Sequence, residues 1–145
     1  MAFTGSAMAT SFKQEILVAE HDFTNGNDSF KMALYDNSAT LTAASTIYTT
    51  SGELASAGNY TTAGNVLDNN LTPTTGGTTA WTDWDDEVWG TATFSAYGAL
   101  IYNDTHASDA AVAVLDFGGV KTATAGDFTV QFPTPAAGTA IIRIA

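Results

Sequence analysis

The chain contains no cysteine. Disulfide frameworks, thiolate metal sites and cysteine nucleophiles are thereby excluded, and the absence agrees with assembly in a reducing cytoplasm. Basic residues are nearly as scarce: Lys13, Lys31, Lys121 and Arg143 are the only four, and they are scattered. Nucleic acid is held by a basic patch that displaces counterions from phosphates, and an anionic membrane surface demands the same, so neither partner is expected. No apolar run approaches the roughly 18 residues of a membrane span. Residues 1–8 carry no cationic region ahead of an apolar one, so no signal peptide is expected.

What is present points to one folded unit. A chain of 145 residues suffices for a single domain with a real core, and 45% hydrophobic and 11% aromatic residues supply the burial that offsets chain entropy. Fifteen acidic residues against four basic ones give a formal charge of −11, which suits a protein that stays soluble at high concentration before docking. Thr and Ala fill about a third of the positions. Thr loses rotamer freedom in helices and fits pleated, half-buried surfaces, which tilts the expectation toward β structure.

Residues 1–10 are small and weakly patterned and read as an N-terminal arm, ordered only if something holds it. Residues 11–145 read as a single β domain. Ser11 and Gln14 resemble a capping box, and Phe12, Ile16, Leu17 and Glu20 fall at helical spacing, which predicts one short helix over about 12–20 with His21 at its polar end. From about residue 29 the period becomes two, with Phe30, Met32 and Leu34 alternating with Lys31, Ala33 and Tyr35. Residues 36–80 are expected to wander as loops, with brief strands at 46–49 and 65–67, closed by Pro73 and Gly76-Gly77. Further strands are predicted at about 91–102, 110–117, 127–132 and 139–144, separated by turns at Asn103-Asp104, Gly118-Gly119, Gly126 and Pro133 to Pro135. With no helical pattern between strands, an all-β sandwich or jelly roll is expected.

Few residue groups carry chemistry. Asp83, Asp85, Asp86 and Glu87 could offer oxygen ligands to a hard cation, but Trp84 interrupts them and the spacing of a calcium loop is missing, so a solvated or interface-facing acidic edge is the expectation. Ser, His and Asp occur together at 106–109, but neighbours in one tight turn are not expected to hold one another in line as a triad. Gly118-Gly119-Val120-Lys121-Thr122 imitates the end of a phosphate loop, but no helix follows, so a hairpin connection is expected. Trp81, Trp84 and Trp89 suit a core, a protein interface or a stacking platform for sugars. No catalytic residue, cofactor or metal is expected.

Four ordered segments carry a resemblance. They are residues 30–35 with Ser38-Ala39-Thr40-Leu41, then 98–104, 114–122 and 126–133. Together they resemble a group of tailed-bacteriophage virion structural proteins, and within it the capsid cement or decoration proteins of short-tailed phages, including those of cyanobacteria. The resemblance implies a non-enzymatic subunit on the outer surface of the capsid, made in the host cytoplasm. Its partners would be the major capsid protein and its own copies, with a homotrimer as the economical assembly. Phe3, Phe12, Ile16, Leu17, Trp81, Trp84 and Trp89 are the expected interface residues, although Phe12, Ile16 and Leu17 could equally cap the domain's own core. A minor tail or fibre component binding host-surface glycan is the alternative. A hydrolase relying on Asp85 or Glu87 is a third class.

Overall fold

The computed structural model describes residues 3–68 and 70–145. Its elements in chain order are β1 (Ala7–Met8), α1 (Thr10–Leu17), β2 (Phe30–Tyr35), β3 (Asn65–Val66), β4 (Thr74–Gly76), β5 (Thr79–Thr82), β6 (Glu87–Asn103), β7 (Ala110–Val130) and β8 (Ile142–Ile144). A five-stranded sheet runs β1-β7-β6-β2-β3 and a three-stranded sheet runs β4-β5-β8, with every pairing antiparallel. The chain is therefore a single all-β, sandwich-like domain with one short helix. Among the described residues no helix is long and apolar enough to cross a membrane.

The β6–β7 hairpin is the spine. Its loop falls at Asn103-Asp104, where turn chemistry predicts it, and its arms run from Glu87 to Val130. Strand β7 does not end at Gly118-Gly119, as the sequence suggests. Phe117, Gly118, Gly119 and Val120 bulge outward opposite Tyr97 alone, with the two glycines at φ 70° and 134°, and pairing resumes at Lys121. A bulge and a turn need the same permissive backbone, so the glycines are common to both. What distinguishes them is that β6 continues opposite.

Strand β2 is central in its sheet, paired with β6 on one edge and β3 on the other, and it is buried on both faces rather than one, since Phe30, Met32, Ala33, Leu34 and Tyr35 are all enclosed. The segment from Tyr35 to Gly64 has little regular structure, as expected, yet it is pinned from within. Glu53 accepts hydrogen bonds from Tyr48 Oη (2.5 Å), Tyr60 Oη (2.7 Å) and Ala63 N (2.6 Å), while Tyr102 Oη donates to Ala63 O (2.7 Å). Burial and the adjoining Glu53 carboxylate both push the hydroxyls of Tyr48 and Tyr60 up in pKa, so they remain hydrogen-bond donors at neutral pH.

Among the described residues, 3–8 are not a separate arm. Phe3 is buried with its ring against Gly98, whose missing Cβ makes room for it, and Ala7 and Met8 pair with Val114 and Ala113. The chain itself supplies what holds this segment. Helix α1 is shorter than predicted, ending at Leu17, and the capping box does not form: Ala9 is the N-cap and the Ser11 hydroxyl has no partner. At the entry to the helix, Ala9 N donates to Val112 O and Thr10 N to Ala43 O. The strand-to-helix entry is thus set by tertiary contacts and leaves Ser11 off the cap position.

Candidate functional site

The spacing of α1 places Phe12 and Ile16 on its inner face. Phe12 is fully enclosed, which stabilises the fold by about 2–3 kcal/mol by burial alone. It begins a chain of ring contacts through His21, Phe23, Phe30 and Trp84 to Phe132, with centroids 4.5–6.4 Å apart along it. A second cluster gathers Tyr60, Phe94 and Phe128 around Trp89. Trp84 and Trp89 therefore build the core of this chain, as do Phe3 and Phe12, and none of the four is offered to a partner. That corrects their assignment as interface residues. It also removes two of the three rings that a sugar-stacking platform would use.

Ile16 and Trp81 are brought together. They line an apolar groove of about 260 Å³ between the carboxyl end of α1 and the small sheet, with Ile142 and Ile144 of β8 on the Trp81 side and Phe23 and His21 also lining it. Register explains the second wall: Ala80, Trp81 and Thr82 of β5 lie opposite Ile144, Arg143 and Ile142. Next to Ile16 the chain turns Leu17 and Val18 into water, 85% and 60% exposed, and Ile144 is 55% exposed. Sequence spacing identified Ile16, Leu17 and Trp81. It missed Val18 and Ile144, whose only signal is a large apolar residue beside a helix end and in a short terminal strand.

One residue that lines this groove, His21, is held by a hydrogen-bond network behind it. His21, placed by the sequence at a helix end, lies four residues past it with its side chain enclosed. Its Nε2 is 2.8 Å from Glu15 Oε2 and its Nδ1 is 3.0 Å from Asn103 Nδ2. The amide nitrogen can only donate, so Nδ1 accepts and the ring N–H is Nε2–H, facing the carboxylate. Asn103 Nδ2 also donates to Asp28 Oδ2 (2.7 Å), and its Oδ1 accepts from Thr105 N (3.0 Å) and His106 N (3.2 Å).

The turn at 104–109 does set three groups in series. Ser108 Oγ is 3.0 Å from His106 Nδ1, and His106 Nε2 is 3.3 Å from Glu20 Oε2. The acid is Glu20, not Asp109, and Ser108 N also donates to the same Nδ1 (3.3 Å). The serine is solvent-exposed, and neither it nor His106 lines the groove. The contact closes a turn.

No protein-family model, curated protein or solved structure matches this chain.

The acidic run divides in a way that corrects the expectation of one solvated edge. Asp85 and Asp86 face outward, whereas Asp83 and Glu87 are buried. Asp86 Oδ1 accepts from Phe132 N (2.8 Å), tying the run to the segment after β7. Burial pushes the Glu87 carboxyl up in pKa and the Asp68 carboxylate adds to this, while the hydrogen bond from Asn65 Nδ2 (2.7 Å) opposes them. With the folded value above the unfolded one, the stability Glu87 contributes is complete below the ordinary carboxylate range and is lost as pH rises through the raised value. Glu87→Gln keeps the oxygen that faces Asn65 and removes the buried charge. It is expected to raise stability at neutral pH and to flatten the decline in stability as pH rises above the ordinary carboxylate range, read from denaturant midpoints across pH.

At the far end of the spine, the outer edge of β7 beyond the bulge pairs with no strand among the described residues. Lys121 and the Gly118-Gly119 bulge interrupt it, both devices that discourage strand addition.

Proposed function

We propose that this protein is a non-enzymatic structural subunit of a tailed-phage particle, a cement protein that binds the outer capsid shell across seams between capsomers. The observation that carries the reading is the apolar groove flanked by side chains left in water. Of the exposed large hydrophobic residues, Leu17, Val18 and Ile144 stand near Ile16 and Trp81, whereas Ile47, Val66, Leu71, Val88 and Val120 stand on other segments. Groups of this kind mark surfaces that are covered by another protein. The partner in this reading, the major capsid protein, is what the resemblance of residues 30–35, 38–41, 98–104, 114–122 and 126–133 to phage virion proteins implies. Many copies gripping a shell act in parallel, so each contact need only be modest. A homotrimer remains part of the proposal, but its interface would have to avoid Trp84 and Trp89, which the domain has already enclosed.

The glycan-binding alternative draws on Trp81 alone, since the other two indoles are inside. Counting copies per particle separates the two: hundreds are expected for cement, a few for a tail or fibre component. A substitution tests the surface directly. Leu17→Asp is expected to leave folding stability within about 0.5 kcal/mol of wild type, because the side chain is already in water. The same change should weaken sedimentation of the protein with purified capsid shells about tenfold or more. Undiminished co-sedimentation of this variant would remove the groove from the proposal.

A further inference from the structure

Asn25-Gly26 is the only place in the chain where a glycine follows an asparagine. Asn27 N donates to Thr24 O (3.0 Å), which makes residues 24–27 a β-turn with Asn25 and Gly26 at its centre, and Gly26 takes φ 88°, a value that favours glycine. The whole turn is exposed. Thr72 Oγ1 accepts from the Asn25 backbone N–H (3.0 Å), but among the described residues the Asn25 side-chain amide and the Gly26 N–H meet no hydrogen-bond partner. Nothing lies within 4 Å of the point where a Cβ on Gly26 would stand, and Asn25 borders an open hollow of about 450 Å³. The side chain therefore has room to fold back on its own backbone. The other described asparagines differ: Asn27, Asn59, Asn65, Asn70 and Asn103 each donate a side-chain hydrogen bond, and these, like Asn37, precede residues whose Cβ crowds the following nitrogen.

We propose that Asn25 is a site of self-modification, converted without an enzyme to aspartate and isoaspartate through a succinimide shared with Gly26. The Gly26 nitrogen attacks Asn25 Cγ, and the new C–N bond closes the ring. The Cγ–Nδ2 bond breaks, and Nδ2 leaves as ammonia carrying the proton that the Gly26 nitrogen gives up. Water then opens the ring, its hydroxyl joining an imide carbon and its other proton returning to the ring nitrogen. Opening at Cγ yields aspartate. Opening at the former backbone carbonyl yields isoaspartate, whose main chain runs through Cγ and carries an extra carbon. Nothing is oxidised or reduced, and water is the only co-reactant. Either product adds a carboxylate to a chain of formal charge −11. The extra backbone carbon also acts on packing. Asp22 N donates to Asp28 Oδ2 (2.9 Å) and Asp28 N to Asp22 O (3.4 Å), closing the loop that contains the turn, and the same Asp28 Oδ2 accepts from Asn103 Nδ2 (2.7 Å). Lengthening that loop works against its closure and so against the Asn103 network. The site is independent of the docking role proposed above, and the extent of conversion records the age of the folded chain.

The test incubates the full folded chain at mildly alkaline pH and then maps it by mass. Cleavage after Lys13 and Lys31 releases residues 14–31, in which Asn25 and Asn27 are the only asparagines. This peptide is expected to gain the mass of an OH for NH2 exchange, located at position 25 by fragmentation, and to gain it faster as pH rises because the attacking nitrogen must lose its proton. An isoaspartate-specific methyltransferase supplied with S-adenosylmethionine should label the aged chain, and the labelled fraction should unfold at a lower urea midpoint than the rest. Asn25→Gln keeps an exposed amide but would have to close a larger ring, so it should abolish both the mass gain and the labelling. No mass gain at position 25 in the folded chain, with the urea-unfolded chain reacting as the positive control, would mean that the turn holds the two groups apart. Equal gain and labelling in wild type and Asn25→Gln would place the chemistry elsewhere. Either result overturns the site.

Discussion

Gly64→Ala is expected to prevent stable folding. At φ 73° the backbone of Gly64 is in the left-handed region, and a Cβ there would stand 1.8 Å from Met32 O and 2.5 Å from Met32 C. Met32 lies in the middle of β2, paired to Ile101 on one side and Asn65 on the other, so the carbonyl has nowhere to retreat. The chain on the other side is equally held, because Ala63 bonds Glu53 through its N–H and Tyr102 through its carbonyl. The loss should exceed about 4 kcal/mol, enough to deplete soluble protein in a domain of ordinary stability. Gly118→Ala is the control. Its φ of 70° is nearly the same, but nothing lies within 4 Å of the added carbon, so only the conformational cost of about 1–2 kcal/mol remains. If the two variants unfold at similar denaturant concentrations, steric contact with β2 is not what requires glycine at position 64.

Asn103→Leu is expected to cost about 3–5 kcal/mol although it retains volume and apolar burial. Asn103 is fully buried and uses both amide hydrogens and both lone-pair directions of its oxygen, on His21, Asp28, Thr105 and His106. Leucine would strand the enclosed Nδ1 of His21 and release the turn that closes the spine. Equilibrium denaturation should show a lower midpoint with an unchanged slope. A variant as stable as wild type would mean that water or a rearranged turn replaces the amide at little cost.

Local chemistry made part of this legible. The alternation at 30–35, the turn at Asn103-Asp104 and the apolar runs on either side of it located β2, β6 and β7, because pleat periodicity and turn residues act within a few positions. The Gly76-Gly77 pair marked what proves to be a β4–β5 hairpin, with Gly76 opposite Thr79. Ser11 and Gln14 misled, since a cap requires the chain to enter the helix at that residue, and β1 delivers it at Ala9 instead. The three tryptophans looked alike in sequence. They differ because Trp84 and Trp89 meet rings from distant segments, whereas Trp81 lies in a small sheet with the groove on one side.

The amino-acid sequence by itself determined the β class, the single short helix, the acidic and cysteine-free character, and the exclusion of a basic patch, because composition and near-neighbour periodicity suffice for these. Only the tertiary structure decided that Ala7 and Met8 join the sheet, that Gly118-Gly119 bulge rather than turn, which apolar residues stay in water, and that Asp83 and Glu87 are buried while Asp85 and Asp86 are not. The physical reason is sequence separation. The bonds that settle these points join residues far apart, 82 positions for His21 with Asn103 and 58 for Asp83 with Ile141, and no local preference encodes which distant partner a buried polar atom meets.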